Sequence, residues 1–238
     1  MFHTIFYLPL YNALIAITGL FGGSLGFGVV GLTLLVKLIL SPLSYQSTIS
    51  QIEQKKLLPY ISDIKKKYPD QKEQAAKLNE LYKEHKTHPL SGCLLLLLQL
   101  PVLFAIFYVF KSGSVVNPAD LYSFVNLPGA INPVFFGINI TQPNIILLII
   151  TALAQYFQVA WSPSMQASSE PVDPTDTQAA LAANMQKMMK YMIPVMIVIG
   201  GWGLPGAVAL YWVLSSIFMI IQERIIMKVI ERKDKKSA

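Results

Sequence analysis

The sequence predicts an all-α integral membrane protein with a five-transmembrane-helix core, an N-terminal interfacial helix and a cytoplasmic helical hairpin. Three observations lead there. The chain of 238 residues is 53% hydrophobic and only 13% charged, against about 25% charged in ordinary soluble domains. Its apolar residues gather in runs on the scale of a hydrocarbon core, which is about 30 Å thick. Its cations gather beside those runs: residues 1–36 hold no Lys or Arg, 45–90 hold nine lysines, and 224–238 hold six further cations. A net charge of +6 distributed this way reads as the positive-inside pattern, not as a nucleic-acid site.

Residues 1–22 are apolar but have no basic n-region, so no secretory signal is expected. With Pro9, Asn12 and several aromatics they read as a helix lying in the interface, a sixth span being the alternative. The core then occupies 23–226. Its first span, 24–43, opens among Gly22, Gly26, Gly28 and Gly31, small residues that let another helix approach closely, and is expected to break at Pro42. In the polar stretch 45–90, Leu57, Ile61, Ile64 and Tyr68 recur at the spacing of a helix seam. Pro69 stops the first helix, Asp70 and Glu73 make a capping box, and Leu78, Leu81 and His85 continue the stripe on a return helix. Its lysines are either a solvated face or a docking surface for a partner or anionic lipid.

The second span, 91–110, carries Gln99 near its middle, followed by Pro101. An outer loop rich in Pro, Asn and Gly leads to the third span, 143–161, with Gln155 and Gln158 near its inner end. A Ser/Pro/Asp linker covers 162–184. The apolar stretch 185–222 is broken at its centre by Gly200-Gly201-Trp202-Gly203-Leu204-Pro205-Gly206, and a single crossing would leave the basic tail, 227–238, outside. It therefore reads as two spans. Each has about 17 residues, roughly 25 Å, which implies tilt or a thinned bilayer. The N-terminus is outside and the C-terminus cytoplasmic.

Lys37 is the focus of the functional reading. A cation inside a span costs about 2.5–3.5 kcal/mol on insertion scales, so an intramembrane lysine marks a functional site by default. None of the five apolar segments holds an Asp or Glu. Lys37 therefore snorkels to the headgroups, faces water, or meets a counter-charge carried by another molecule. The sequence has no P-loop and no metal-ligand cluster, so neither cofactor nor metal is expected. The single cysteine, Cys93, excludes an intrachain disulfide and reads as a packing residue.

Several stretches in this order resemble the YidC/Oxa/Alb family of membrane protein insertases. TLLVKLILSPLSYQ resembles the family's first core span and HPLSGCLLLLLQLPVL its entry to the second. FFGINI resembles the outer-loop motif, and MKYMIPVMIVIGG with LPGAVALYWVLSSIFMIIQ resembles the last two spans. The resemblance covers roughly residues 5–225. It implies five core helices around a hydrophilic groove open to the cytoplasm and lipid, through which nascent membrane proteins enter without catalysis. It puts Lys37 at the groove's positively charged position, where the family usually has arginine; lysine keeps the charge and loses the planar fork. Thr33 matches a polar groove position, Tyr211 and Trp212 match an aromatic pair, and Gln99 and Gln158 are further groove-lining candidates.

Nascent membrane proteins and lipid are the expected partners, with a ribosome and a Sec-type translocon also implied; the tail is short for autonomous ribosome binding. A monomer in a bacterial plasma membrane is expected, since the chain starts at Met1 with no targeting segment. Met185, Met188, Met189, Met192 and Met196 place five of the nine methionines within twelve residues. They read either as packing or as a flexible slide for incoming segments. A small-solute or ion transporter and a structural assembly factor are the alternative functions.

Overall fold

The computed structural model describes residues 1–85, 87, 91–111, 116–162 and 187–237. The predicted linker beyond Ser162, Met185 and the side chain of Cys93 lie outside the described residues. The architecture is mostly helical. A π-helical turn over His3–Tyr7 leads into α1 (Leu8–Leu20), followed by α2 (Leu25–Lys67), α3 (Gln71–Glu84), α4 (Ser91–Lys111) and α5 (Ile145–Trp161). A second π-helical turn, Met188–Met192, precedes α6 (Ile193–Gly200), and α7 (Gly206–Ser237) closes the chain. Between α4 and α5 the strands β1 (Val134–Phe135) and β2 (Ile138–Asn139) pair antiparallel, Val134 opposite Asn139 and Phe135 opposite Ile138.

The expected break at Pro42 does not occur. α2 runs for 43 residues through both Pro42 and Pro59. Each proline removes one ladder hydrogen bond; at Pro42 packing in the helix bundle absorbs that loss, whereas Pro59 is exposed. Gln222 of α7 packs beside Pro42, donating from Nε2 to the Ser41 carbonyl at 3.1 Å; the carbonyl that the proline itself frees is that of Leu38. α2 ends as expected before Pro69, and Asp70 caps α3 by accepting from the Lys72 N–H at 3.4 Å. On α3, Leu78 and Leu81 are half-buried, but His85 is exposed at the C-cap and does not continue the stripe. The exposed Lys77 donates to Glu80 at 2.8 Å, and this hydrogen bond with its charge holds the Glu80 carboxyl below its ordinary range. So exposed a pair contributes little to stability.

The glycines at the start of α2 have separate duties. A Cβ on Gly28 would meet Thr18 and Leu14, and one on Gly31 would meet Ile17; there α1 lies against α2. Gly26 admits the ring of Phe135 instead. Gly22, at φ +63 with nothing within 4 Å, serves the turn rather than packing. Gly23, at φ +83, passes its carbonyl to the Asn132 N–H at 2.8 Å, and the Asn132 carbonyl returns to the Leu25 N–H at 3.0 Å. The 116–144 loop thus meets the start of α2, and it also meets the start of α7. The free donors at the start of α7 are taken by its carbonyls, Gly206 N–H to Gln142 at 2.8 Å and Ala207 N–H to Ile140 at 2.7 Å.

α7 lies between α2 and α5, with α1 against α2 and α4 beside it. The buried core collects Leu14, Ile15, Val29, Leu32, Ile106 and Val208 from these helices. α2 is apolar on its other side as well, with Phe27, Leu34, Leu35, Leu38 and Ile39 exposed. The apolar part of α2, Leu25–Gln54, is long enough to cross a bilayer.

Polar side chains hold α1 to the loop: the Tyr11 hydroxyl accepts from the Asn117 N–H at 2.7 Å, and Asn12 makes the densest set of bonds. Asn12, 2% exposed, donates to the carbonyls of Leu8 at 2.8 Å and Asp120 at 2.9 Å, and accepts from the Tyr122 N–H at 2.7 Å. Asn12→Ala leaves two half-buried backbone groups of the loop without their side-chain partner, at a cost of about 1 kcal/mol. A lowered melting temperature in lipid nanodiscs, with faster proteolysis of the loop near Tyr122, is the expected result.

Candidate functional site

Lys37 neither snorkels nor faces open water. Its side chain lies within the bundle, 6% exposed, and its Nζ donates to Gln99 Oε1 of α4 at 3.0 Å. The same amide donates from Nε2 to the hydroxyl of Tyr211 on α7, which is 1% exposed. One ammonium, one amide and one phenol therefore link three helices far apart in sequence. The amide suits this place because it presents an acceptor and a donor at once. The bond to Gln99 takes one of the three donors of the ammonium, and no carboxylate among the described residues pairs with it.

The rest of the polar surface extends this contact along the α2–α7 boundary. From Lys37, Ser41, Ser44 and Thr48 follow at four, seven and eleven residues, so all fall on one face of a helix. Ser44 donates to Met219 Sδ at 3.4 Å, and Gln222 reaches Ser41 Oγ at 3.3 Å. Ser44, Ser47 and Thr48 are each buried. Gln222 Oε1 is buried and has no hydrogen-bond partner among the described residues. An apolar bundle that concentrates hydroxyls and amides on one boundary has a surface suited to polar solutes.

The predicted residues are not all brought to this boundary. Thr33 is fully buried one turn before Lys37, but its hydroxyl is spent on the Val29 carbonyl at 2.6 Å. Trp212, half-buried beside Tyr211, turns toward α5 and donates from Nε1 to Gln155 Oε1 at 3.1 Å. Gln155 is thus the paired glutamine of α5, also within 3.5 Å of Ser216 Oγ. It sits amid the buried face of Thr151, Ala152 and Val159, whereas the half-buried Gln158 falls at that face's rim.

Glu223 escaped the sequence reading because it lies one residue past the apolar run. It is buried against α5, accepting from Ser162 Oγ at 3.4 Å, while its neighbour Arg224 stacks on Trp161 with 5.5 Å to the ring centre. On the opposite arm, Met188, Met189, Met192 and Met196 are exposed. No cluster of His, Cys, Asp or Glu among the described residues could hold a metal.

The arrangement makes Gln99→Leu informative. It strips the acceptor from a buried ammonium and the donor from Tyr211, a loss of about 1.5–3 kcal/mol for a hydrogen bond to a charged group. The melting temperature should fall in Gln99→Leu and recover when Lys37→Met is added, because the second change removes the stranded charge. Equal loss in the single and double variants would dismiss the contact.

Comparison with known proteins gives consistent results. The family model of the 60Kd inner membrane protein matches residues 16–234. The membrane protein insertase YidC of Fusobacterium nucleatum is 33% identical over 209 residues, covering 87% of this chain and 87% of its own. That of Alkalihalophilus pseudofirmus is 30% identical over 225 residues, covering 91% of this chain and 78% of its own. A crystal structure of an active YidC insertase, with its first transmembrane domain resolved, matches at TM-score 0.56 and 25% identity, over 92% of this chain and 45% of that one.

Proposed function

The chain belongs to the 60Kd inner membrane protein family, and from that premise we propose how it acts as a membrane protein insertase, through the contact among Lys37, Gln99 and Tyr211. The protein is a helical membrane protein of the bacterial membrane, its substrates are membrane proteins, and it is not an enzyme. The observation that carries the reading is the buried ammonium held by a neutral amide. Gln99 acts as a stand-in ligand. An acidic group on the leading segment of a substrate takes its place on Lys37, because a charge-assisted hydrogen bond is roughly twice as strong as a neutral one. Ser41 and Ser44 with Tyr211 and Gln222 offer polar groups beside it, while Thr33 bonds its own helix and Trp212 and Gln158 belong to the α5 side. The substrate's apolar span meanwhile enters lipid, stabilised by roughly 25 cal/mol per Å² of apolar surface removed from water.

The proposed topology has five spans, N-terminus outside and C-terminus cytoplasmic, with the lysine-rich arm of α2 and α3 as a helical hairpin in the cytoplasm. Charge distribution supports it. The interfacial reading of α1 is supported by its contacts. Its C-terminal end adjoins the start of α2, while Tyr11 and Asn12 bond to residues 117–122, just beyond the end of α4. A helix touching both of these outer-side segments lies across the bundle. The three domains, the interfacial helix, the core and the basic tail, follow from this topology. A ribosome or a Sec-type translocon would meet the cytoplasmic arm or the tail, with the protein itself a monomer.

A photo-crosslinker at position 37 tests the mechanism against one at Leu38, which is 62% exposed on the lipid side. Challenged with a stalled nascent single-span protein, position 37 should crosslink and position 38 much less. Equal crosslinking at both would replace the groove route with an assembly role.

A further inference from the structure

The turn between β1 and β2 uses a residue that its backbone does not favour. Phe136 and Gly137 are the two connecting residues, with φ +48 and φ +80. Two positive φ values in a two-residue connection are what the tight hairpin turn requires, and its first position is ordinarily Asn, Asp or Gly. A phenylalanine there is strained, and its ring is 87% exposed. Neither backbone preference nor packing within the protein accounts for it.

The ring does have aromatic neighbours. Phe136 contacts Phe135 with centroids 4.6 Å apart, Phe135 meets Phe27 at 5.3 Å, and Phe27 stacks on Phe21 at 5.6 Å. Phe27 heads the exposed apolar stripe that continues through Leu34 and Leu38 along α2. Residues 121–143 contain no charged side chain. The apolar surface is therefore continuous from the hairpin tip to the lipid face of the first span, and no charge beside the tip opposes its entry into hydrocarbon.

We propose that this hairpin is a membrane anchor, with the ring of Phe136 inserted among the acyl chains of the outer leaflet and Phe135 and Phe27 connecting it to the lipid-facing side of α2. The choice of leaflet rests on the topology proposed above; the burial in lipid does not. Lipid, not a partner protein, is the occupant because the patch is an extension of a surface that already faces lipid.

Nitroxide labels at Phe136→Cys and Ser123→Cys, each in a Cys93→Ser background and reconstituted in phosphatidylcholine–phosphatidylglycerol liposomes, test it. At 136 collisions with oxygen should exceed those with a water-soluble nickel chelate, and at the exposed Ser123 the order should reverse. Chelate dominance at 136, or shielding there from both reagents, would overturn the anchor. Phe136→Asn guards against distortion by the label. It suits the turn and should keep the melting temperature, while a label at the neighbouring Val134→Cys becomes more open to chelate; no change at 134 would also overturn the proposal. Labelling of Ser123→Cys by an impermeant maleimide in intact cells reports the leaflet separately, so a topology error and an anchor error give different results.

Discussion

Lys37→Met should reduce insertion of a single-span substrate with an acidic leading segment by about ten- to a hundredfold, the equivalent of losing one charged hydrogen bond of about 1.5–3 kcal/mol. The protein itself should be as stable as before or more so. Methionine has similar length, the Gln99 amide can still bond Tyr211, and removing a buried charge often leaves stability unchanged or raised. Activity and stability therefore separate, as a folding defect would not allow. Lys37→Arg should retain most activity, since it keeps the charge and adds a fork able to hold a carboxylate with two hydrogen bonds. The measurement is insertion yield in proteoliposomes, with a second substrate whose leading carboxylates are changed to amides. Lys37→Met should leave that neutral substrate nearly unaffected. Equal loss for both substrates would exclude charge pairing as the basis of capture.

Gly23→Ala should have the largest effect on folding. At φ +83 an L-residue is disfavoured by about 1–2 kcal/mol, and the added Cβ would sit 2.0 Å from the carbonyl oxygen of Ala130. Backbone cannot rotate aside as a side chain does, so the exchange between Gly23 and Asn132 has to open. Gly22→Ala is the matched control, with a similar φ but nothing within 4 Å, and should cost only the conformational part. A clear gap in melting temperature, or in accumulation in the membrane, is expected between the two. Equal effects would mean that the loop yields and that its docking at the start of α2 is not rigid.

The apolar runs and the break around Gly200–Gly206 carried most of the helical architecture, because stretches of apolar sequence and their interruptions are displayed directly in a sequence. Lys37 and Gln99 were each visible as polar residues in apolar surroundings. Their pairing with Tyr211 was not, since it depends on three helices meeting at one level. The Ser41, Ser44 and Thr48 positions continue the periodicity of Lys37, and that signal was cut off by reading Pro42 as the end of the helix. Proline is a weaker breaker when neighbouring helices brace it. Gln155 and Gln158 are chemically alike and one turn apart, and the partner helix alone separates them through Trp212 and Ser216. The docking of Asn132 on Gly23 left no trace in composition, because it is made of backbone groups.

The unbroken course of α2 has a mechanical consequence. At 1.5 Å per residue it is a rod of about 65 Å, with roughly 45 Å between Lys37 and its far end and roughly 18 Å between Lys37 and its start. A swing of about ten degrees about the level of Lys37 would carry the far tip some 8 Å while moving the start about 3 Å, so the helix is a lever with unequal arms. Force applied by anything gripping the long arm arrives, multiplied, at the short one, where Gly23 and Asn132 hold the start of α2 to the loop that also caps α7.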